Sequence, residues 1–528
     1  MTERDEPQLR VSWWDRFLIS IAPDWGLRRV RARATAQLLE RHYEAAQGGR
    51  RTSGWQRFSS DANAANGPAL TALRELSRDL RRNNGWAKRG IQAIVNNTVG
   101  WGIMPKPSSR SRARSQTAIE LWNEWAESTS CDFDGRLNFY GLQRLAMETI
   151  AESGEVLVLR QPAASVDNLP IPLRLQVLEP DHLDTNRSGS LAGGGQIVDG
   201  VEFDKQGRRV AYWIFGSHPG GQTLPSARFE STRVTADRVL HVYRVDRPGQ
   251  IRGVPWLASA ITRLKDLDDF EDAELMQQKI AACFGAFVTD LEGAATSIGK
   301  QDPKNAQLEH LQPGHIAYLP PGKQVTFAQP PSVQDSSFSE RALRRIAVSL
   351  GVPYEELTGD YSQVNYSSAR MARLAHWANV HEWREHMLMP QLCAGVWAWA
   401  MEHARELEGW PSVPAAQWAA PPMPILEPDK EGLAYLRLVR VGAMTWQQMV
   451  RELGYDPMEQ LDEIEELNKE LDKRGIALDI DPRRMTAGGQ QQQLAAKSKG
   501  TSDDEGTSDD DADDAAGDDD AGDVQPAH

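Results

Sequence analysis

Three stretches of the sequence carry residues at spacings that approach known chemistry. The first is His381-Glu382-Trp383-Arg384-Glu385-His386. A zinc-binding helix needs two histidines four residues apart, so that both imidazoles share a face, with a glutamate as general base. Here the histidines are five apart, about 140° around a helix, and His376, His381 and His386 repeat that divergence. They read as surface or interface histidines, and no metal site is expected. The second is Gly293–Lys300, GAATSIGK. Five residues separate its glycines where a phosphate-cradling loop has four, and Gln301 stands where a hydroxyl would meet Mg²⁺. No nucleotide or other cofactor is expected. The third is the set Cys131, Cys283 and Cys393, far apart and without a CxxC pair. That excludes a disulfide framework or thiolate zinc site and predicts a reducing compartment. No G-x-S-x-G elbow is present. The residues predict no catalytic site and no enzyme.

Charge is divided unevenly along the chain. The formal net charge is −15 over 528 residues. Residues 501–528 hold twelve Asp or Glu and no Lys or Arg, while residues 1–115 hold twenty-one Lys or Arg against ten Asp or Glu. Residues 116–500 are therefore at −14. The start, MTERDEPQLR, lacks the apolar core of a secretory signal. The longest apolar run, Met387–Met401 with Pro390 inside it, is shorter than the ~20 residues a membrane helix needs. It reads as a buried helix, and no membrane partner is expected.

The elements that must position any site alternate between helix and strand. Residues 1–67 are rich in Arg, Ala and Gly, with an apolar patch at Trp13-Trp14 and Phe17-Leu18 that reads as a docking arm. From about Leu70, leucines 70, 73, 76 and 80 form a helical stripe, with Arg74, Arg78, Arg81 and Arg82 beside it. That arginine face either meets an outside partner or packs inside the domain. Asn83-Asn84-Gly85 reads as its C-cap, and helices follow near Trp86–Thr98 and Thr117–Glu127. Short aliphatic runs at Val156–Leu159, Leu173–Leu178, Val210–Phe215 and Val239–Val245 predict strands. A helix is predicted over Trp256–Phe284 and another from Phe338 to Gly351, capped by Ser337 and Glu340, with a strand-and-turn insertion between them. Asp360–Asn365 reads as a polar loop, and Ser367 or Ser368 as the cap of a long helix to about Glu408, kinked at Pro390. Pro411–Pro428 reads as a linker or packed extended strand. Helices are predicted at Lys430–Val441, Thr445–Leu453 and Asp456–Arg474, before a disordered acidic tail. The fold class is α+β.

Four ordered segments resemble one family. They are Arg78–Trp86 with Val99-Gly100-Trp101-Gly102-Ile103; Arg252-Gly253-Val254-Pro255-Trp256-Leu257; Leu350–Ser362 (LGVPYEELTGDYS) with Asn365–Arg370; and Glu427–Gly432 with Gly442–Thr445 and Glu452–Asp456. Together, over roughly residues 65–480, they resemble the lambda-type portal proteins of tailed phages.

The resemblance implies a ring, usually of twelve subunits, at one capsid vertex of a virion, assembled in the host cytoplasm. Double-stranded DNA would pass through the axis independently of sequence during packaging and ejection. The terminase large subunit would dock first and head–tail connector proteins later, with major capsid and scaffold proteins around the ring. The alternative from another class is a non-conducting head–tail adaptor or other structural capsid protein.

The implied domains are an arm over 1–64, a wing over 65–255, a first stem helix over 256–284, a clip over 285–335 and a second stem helix over 336–358. A tunnel loop over 359–366 follows, then a wing helix and Pro-rich linker over 367–425, a crown over 426–482 and the acidic tail over 483–528. Asp360, Tyr361, Ser362, Gln363, Val364, Asn365 and Tyr366 would approach DNA. Asp266, Asp268, Asp269, Asp272 and Glu274 would line the channel or meet Arg341, Arg344 and Arg345 of a neighbouring subunit. Without the resemblance these carboxylates read as a solvated helix face. Lys304 and Lys323 are candidates for contact between the clip and the motor or connector.

Overall fold

The computed structural model describes residues 59–108, 111–162, 169–221, 230–283, 287–289, 317–319, 336–424, 427–455, 457–476 and 478. The docking arm before residue 59, most of the clip with Lys304 and Lys323, and the acidic tail lie outside the described residues. The chain divides into two compact units, Met1–Pro424 and Ile425–His528.

In the first unit, helix α1 (Ala62–Asn83) begins eight residues before the predicted start, on an Asp61 cap. Long-range bonds draw it out: Asn63 donates to Gly249 O at 3.0 Å and accepts from Ile251 N at 2.9 Å. Asn84 is not a left-handed C-cap. Its φ is −110°, and its side chain caps the next helix, α2 (Gly85–Thr98), by accepting from Ala87 N at 2.8 Å. Strand β1 (Met104–Ser108) and helix α3 (Arg112–Ala126) follow. Helix α4 (Phe139–Ser153), which the sequence reading missed, has ten buried residues.

Strand β2 (Glu155–Pro162) is the centre of a three-stranded antiparallel sheet between β3 (Leu173–Leu178) and β9 (Val239–Tyr243). Its first five residues are all buried. Alternation explains this: Val156 and Val158 enter the main core, while Leu157 and Leu159 enter a second. The second core lies against a five-stranded antiparallel sheet of β4 (Gly189–Ser190), β5 (Gln196–Val198), β6 (Val201–Phe203), β7 (Arg209–Phe215) and β8 (Ser231–Thr235). The main core gathers Trp122, Trp125, Phe139 and Trp397, with Trp122 5.1 Å from both Phe139 and Trp397. The Trp125 and Trp397 indoles donate to Leu173 O and Pro414 O, so neither polar atom is stranded.

Helix α5 (Ile261–Cys283) starts five residues later than predicted, after turns over 256–260. Short strands β10 (Phe287–Thr289) and β11 (Ala317–Leu319) pair in parallel. Helix α6 (Ser336–Leu350) already contains Ser337, which is therefore not its cap. Helix α7 (Tyr354–Thr358) precedes α8 (Tyr366–Trp383), whose cap is Asn365 rather than Ser367 or Ser368. Pro390 sits inside a π-helical stretch (Arg384–Cys393) that runs into α9 (Ala394–Glu408). The wider π turn accommodates the missing proline N–H. Part of the proline-rich segment is strand β12 (Ala415–Ala419), antiparallel to β1. The second unit contains α10 (Pro428–Arg440), α11 (Trp446–Glu452) and α12 (Pro457–Arg474). No described helix is long and apolar enough to cross a membrane.

One buried ionic network ties the first unit together. Glu155 is fully buried at the head of β2. Its carboxylate accepts from Arg74 at 2.5 Å, Arg252 at 2.8 Å, His241 at 2.9 Å and the Gly253 amide at 2.7 Å. The close approach depends on glycine: at Gly154, φ +92°, a Cβ would lie 2.6 Å from the Val254 carbonyl carbon. Burial alone would push the Glu155 carboxyl up; Arg252, Arg74 and His241 together hold it well below its ordinary value. Burial pushes His241 down despite its carboxylate partner. The imidazole is neutral and donates from Nε2.

Both shifts favour the deprotonated form in the fold, so both contributions are lost on acidification. Stability is expected to fall first below pH 6.5, as the unfolded chain protonates His241, and again below 4.5 for Glu155. Glu155→Gln leaves two buried guanidiniums without an anion and is expected to cost about 3–5 kcal/mol. Thermal unfolding of wild type and variant across pH measures both. A variant as stable as wild type would refute the central role of this carboxylate.

Candidate functional site

The strongest candidates from sequence lie on α5, α6 and the loop before α8. An apolar seam holds α5 and α6 together: Leu264 and Leu267 are buried on one helix, Leu343, Ile346, Ala347 and Leu350 on the other. Phe270 and Phe338 meet with ring centroids 4.4 Å apart. Past Leu267 no described α5 side chain is buried.

The α5 carboxylates have different fates. Asp266 pairs with Arg263 at 3.1 Å and Asp269 with Lys265 at 2.6 Å, both as neighbours one turn away and exposed. Asp268 instead accepts from Asn84 Nδ2 at 2.7 Å, which fastens α5 to the α1–α2 junction. Asp272 is exposed and Glu274 half-buried. Between them, burial and then the Asp268, Glu274 and Asp272 charges push the Glu271 carboxyl up. Negative charge is therefore concentrated beyond what the helix's own cations offset. On α6, Arg341, Arg344 and Arg345 are exposed; Arg344 pairs with Glu340 at 2.6 Å and lies over the Tyr354 ring.

The loop between α7 and α8 is anchored below and open above. Gly359, φ +72°, closes α7. Asp360 then accepts from Ser362 N at 3.0 Å, and hydrogen bonding first to the Ser362 side chain and then to its backbone holds the Asp360 carboxyl below the ordinary range. Asn365 and Ser368 form a reciprocal capping box at the start of α8. Asp360, Tyr361, Ser362, Gln363, Asn365 and Tyr366 are all exposed, and Val364 is half-buried. Beneath them, Glu356 accepts from Asn97 at 2.8 Å and Arg89 reaches the Glu356 carbonyl at 3.0 Å. His376 and Asn379 both reach Gly351 O, at 2.9 and 3.0 Å. His376 is thus buried, not a surface histidine; it belongs to the joint between α6 and α8. His381 is exposed and meets the Trp377 ring edge-on.

The arginine face of α1 resolves toward internal packing. Arg74 holds Glu155, Arg78 bonds Asp181 and Glu179, and Arg81 bonds Glu148 and Glu152. Only Arg82 of the four is largely exposed, at 73%. Arg384 was not singled out from sequence except as part of the histidine stretch. It is buried and donates to Thr98 O, Asn97 O and Pro421 O at 2.7–2.9 Å. Burial pushes it down to about 10. It satisfies carbonyls at the end of α2, where a cation meets the negative end of the helix dipole.

One described group gathers three metal-type ligands, Glu179, Asp181 and His218. Arg78 already occupies it, 3.0 Å from Glu179 and bonded to Asp181. His218 Nδ1 accepts from Gly220 N at 3.0 Å, which leaves the ring proton on Nε2 facing the carboxylates. The imidazole therefore offers a donor rather than a metal-binding lone pair. Cys131 and Cys393 are buried free thiols, and burial pushes both up, Cys131 to about 12.

The profile described as "Phage portal protein, lambda family" matches residues 48–384. The probable portal protein of Halomonas phage phiHAP-1 is 28% identical over 319 residues, 57% of this chain and 60% of that protein's length. The portal protein of Escherichia phage N15 is 26% identical over 388 residues, covering 66% of this chain and 72% of its own. Portal protein B of Escherichia phage lambda is 25% identical over 369 residues, covering 61% and 67%. A solved structure of the neck of a native GTA particle, computed with C12 symmetry, gives a TM-score of 0.43 at 16% identity, covering 77% of this chain and 98% of that one.

The joint between Asn84 and Asp268 yields a test of the site's support. Asn84→Ala removes an N-cap and an inter-helix bond and is expected to cost about 1–2 kcal/mol. Asp268→Asn keeps an acceptor oxygen and is expected to cost less than half as much. Urea unfolding of the two variants, compared at equal m-value, separates them.

Proposed function

The chain belongs to the lambda family of phage portal proteins, and from that membership we propose that copies of it form a ring, with about twelve subunits expected, through which double-stranded DNA moves. The observation that carries this reading is the loop at residues 360–365: polar and exposed at its tip, yet locked at its base by Gly359, Glu356 and the Asn365 capping box. Such a loop holds a fixed position while presenting hydroxyl, amide and carboxylate groups. Asp360, Tyr361, Ser362, Gln363, Asn365 and Tyr366 offer contacts to a sugar–phosphate backbone without base readout.

The acidic α5 supports the same reading by avoidance. Each Lys or Arg bound to phosphate adds affinity and resists sliding. A wall bearing Asp266, Asp269, Asp272 and Glu274 keeps DNA centred and mobile. Arg345 on α6 is exposed and is suited, with Arg341 beside it, to the α5 carboxylates of a neighbouring copy. Exposed apolar residues on the same helices, Leu275, Met276 and Val348, fit burial against that neighbour. In this reading α1–β9 and α8–α9 form the wing, α5 and α6 the stem, the segment between them the clip, and α10–α12 the crown. The clip, with Lys304 and Lys323, would take the terminase large subunit and then connector proteins. Capsid and scaffold proteins would surround the ring at a vertex of the virion, assembled in the host cytoplasm.

Charge reversal at Asp266 and Asp269 tests the channel without disturbing the Asn84–Asp268 joint. The double change to lysine is expected to leave rings visible by negative-stain microscopy and to slow packaging severalfold in a terminase-driven assay; an unchanged rate in assembled rings sinks the avoidance argument. Deleting Tyr361–Val364 is expected to impair late packaging or retention of DNA while rings still form. Loss of the ring would instead make the loop a structural element.

A further inference from the structure

The small sheet of β1 and β12 has two unlike edges. The register pairs Pro105 with Trp418 and Pro107 with Ala416. Proline has no N–H, and antiparallel ladders alternate bonded and non-bonded pairs. The bonded pairs are therefore Met104–Ala419, Lys106–Gln417 and Ser108–Ala415, and the proline nitrogens lie along the outer edge of β1. That edge cannot accept a new strand through those positions. On β12 the same alternation turns the N–H and C=O of Ala416 and Trp418 outward. Among the described residues no strand pairs with this edge, and no hydrogen bond takes these groups.

An open cavity of about 430 Å³ lies beside it, lined by Glu385, Met389, Pro390, Ala394, Gln417 and Trp418. Gln417 is exposed and Trp418 packs against the core, so a space touching both lies at the strand's margin. The opposite wall comes from the π-helical stretch. Its i→i+5 turn brings Glu385, Met389 or Pro390, and Ala394 onto one face. The floor is apolar, and Glu385 supplies a negative charge.

We propose that Arg10–Ile21 of this chain's own N-terminal segment adds to the β12 edge as a third, extended strand. The sequence RVSWWDRFLISI contains no Gly or Pro and is rich in aromatic and β-branched residues. Its large apolar side chains suit the Met389–Pro390–Trp418 surface, and Arg10 and Arg16 suit Glu385. Charge selects this end of the chain. Residues 1–58 carry eleven Lys or Arg against seven Asp or Glu, whereas residues 501–528 are acidic throughout and would meet Glu385 with like charge. Reach is sufficient: the residues between Ile21 and the start of α1 span up to ~130 Å when extended. The inference is separate from the DNA-channel reading and stands or falls on its own measurements.

Hydrogen exchange on the full chain tests it. The Ala416 and Trp418 amides are expected to exchange at least tenfold more slowly than in a chain whose Arg10–Ile21 is replaced by a Gly/Ser sequence. Equal exchange in the two chains overturns the proposal. Ala416→Pro removes an outward N–H while sparing the ladder to β1, and is expected to abolish the protection at Trp418 without lowering the melting temperature of the replaced chain. Retained protection in Ala416→Pro overturns the proposal as well. Cross-linking gives an independent readout. With Gln417→Cys, single cysteines placed in turn at positions 16–21 are expected to form disulfides with a two-residue period; no cross-link, or yields without that period, overturns strand addition.

Discussion

A carboxylate placed in an apolar interior needs positive partners and filled hydrogen bonds, or the fold opens to hydrate it. Glu155 meets that demand with four groups from three places in the sequence: Arg74 on α1, His241 on β9, and Arg252 and the Gly253 amide in the segment before α5. None of these could move independently without breaking a bond to a buried charge. Arg74 also reaches Ser153 O, and Arg252 reaches Asp199 O, so the network extends into the end of α4 and the turn before β6. Its contribution is positional as much as energetic. It sets where α1, the central sheet and the approach to α5 lie relative to one another.

That setting carries through to the proposed channel elements. Immediately after Gly253, Trp256 donates its amide to Ala151 O at 3.1 Å, and its ring packs 4.9 Å from Trp383 at the end of α8. The start of α5 is thus fixed between α4 and α8. One turn further on, Leu264 and Leu267 enter the core, and Asp268 takes the Asn84 amide. Meanwhile the end of α6 is held to α8 through Gly351 and His376. Both long helices are anchored at their core ends, and the loop at 360–365 rises from the same joint. A rigid base with an exposed tip follows from this distribution of bonds.

Local patterns in the sequence were legible where local physics decides the outcome. Aliphatic runs located β2, β3, β7 and β9, the leucine stripe located α1 though not its first eight residues, and α6 begins two residues before its expected start. The ordered motifs identified the family that the profile matches over residues 48–384; the fourth, beyond residue 427, lies past that match. What failed depends on residues distant in sequence. For Arg74, Arg78 and Arg81 the sequence left an outside partner and internal packing equally open, because the carboxylates that decide for packing come from positions 148–181. Asn84 has the composition of a helix end; that it starts the next helix and also bonds Asp268 requires knowing that α5 passes nearby. His376 is polar and unremarkable by type, and only the turn at Gly351 gives it a buried acceptor. Helix α4 escaped because ten of its fifteen residues are buried, which blurs an amphipathic pattern.

The charge of the chain can now be read by location instead of by total. Much of the positive charge of α1 is neutralised inside the first unit, as is the single negative charge of Glu155. The surplus that remains on α5 is different in kind: Asp266 and Asp269 have only nearby, exposed cations, and Glu271 is pushed up by its acidic neighbours. Exposed pairs one turn apart contribute little to folding, so α5 gains almost nothing from its carboxylates as an isolated helix. Repulsion among Asp268, Glu271, Asp272 and Glu274 is a cost to the single chain that a second copy's α6 arginines would offset in the proposed ring. In that arrangement the carboxylates facing a neighbour strengthen the interface, and those facing the axis repel phosphate. A net charge that argues against DNA binding when summed over the chain therefore agrees with DNA movement when resolved along one helix.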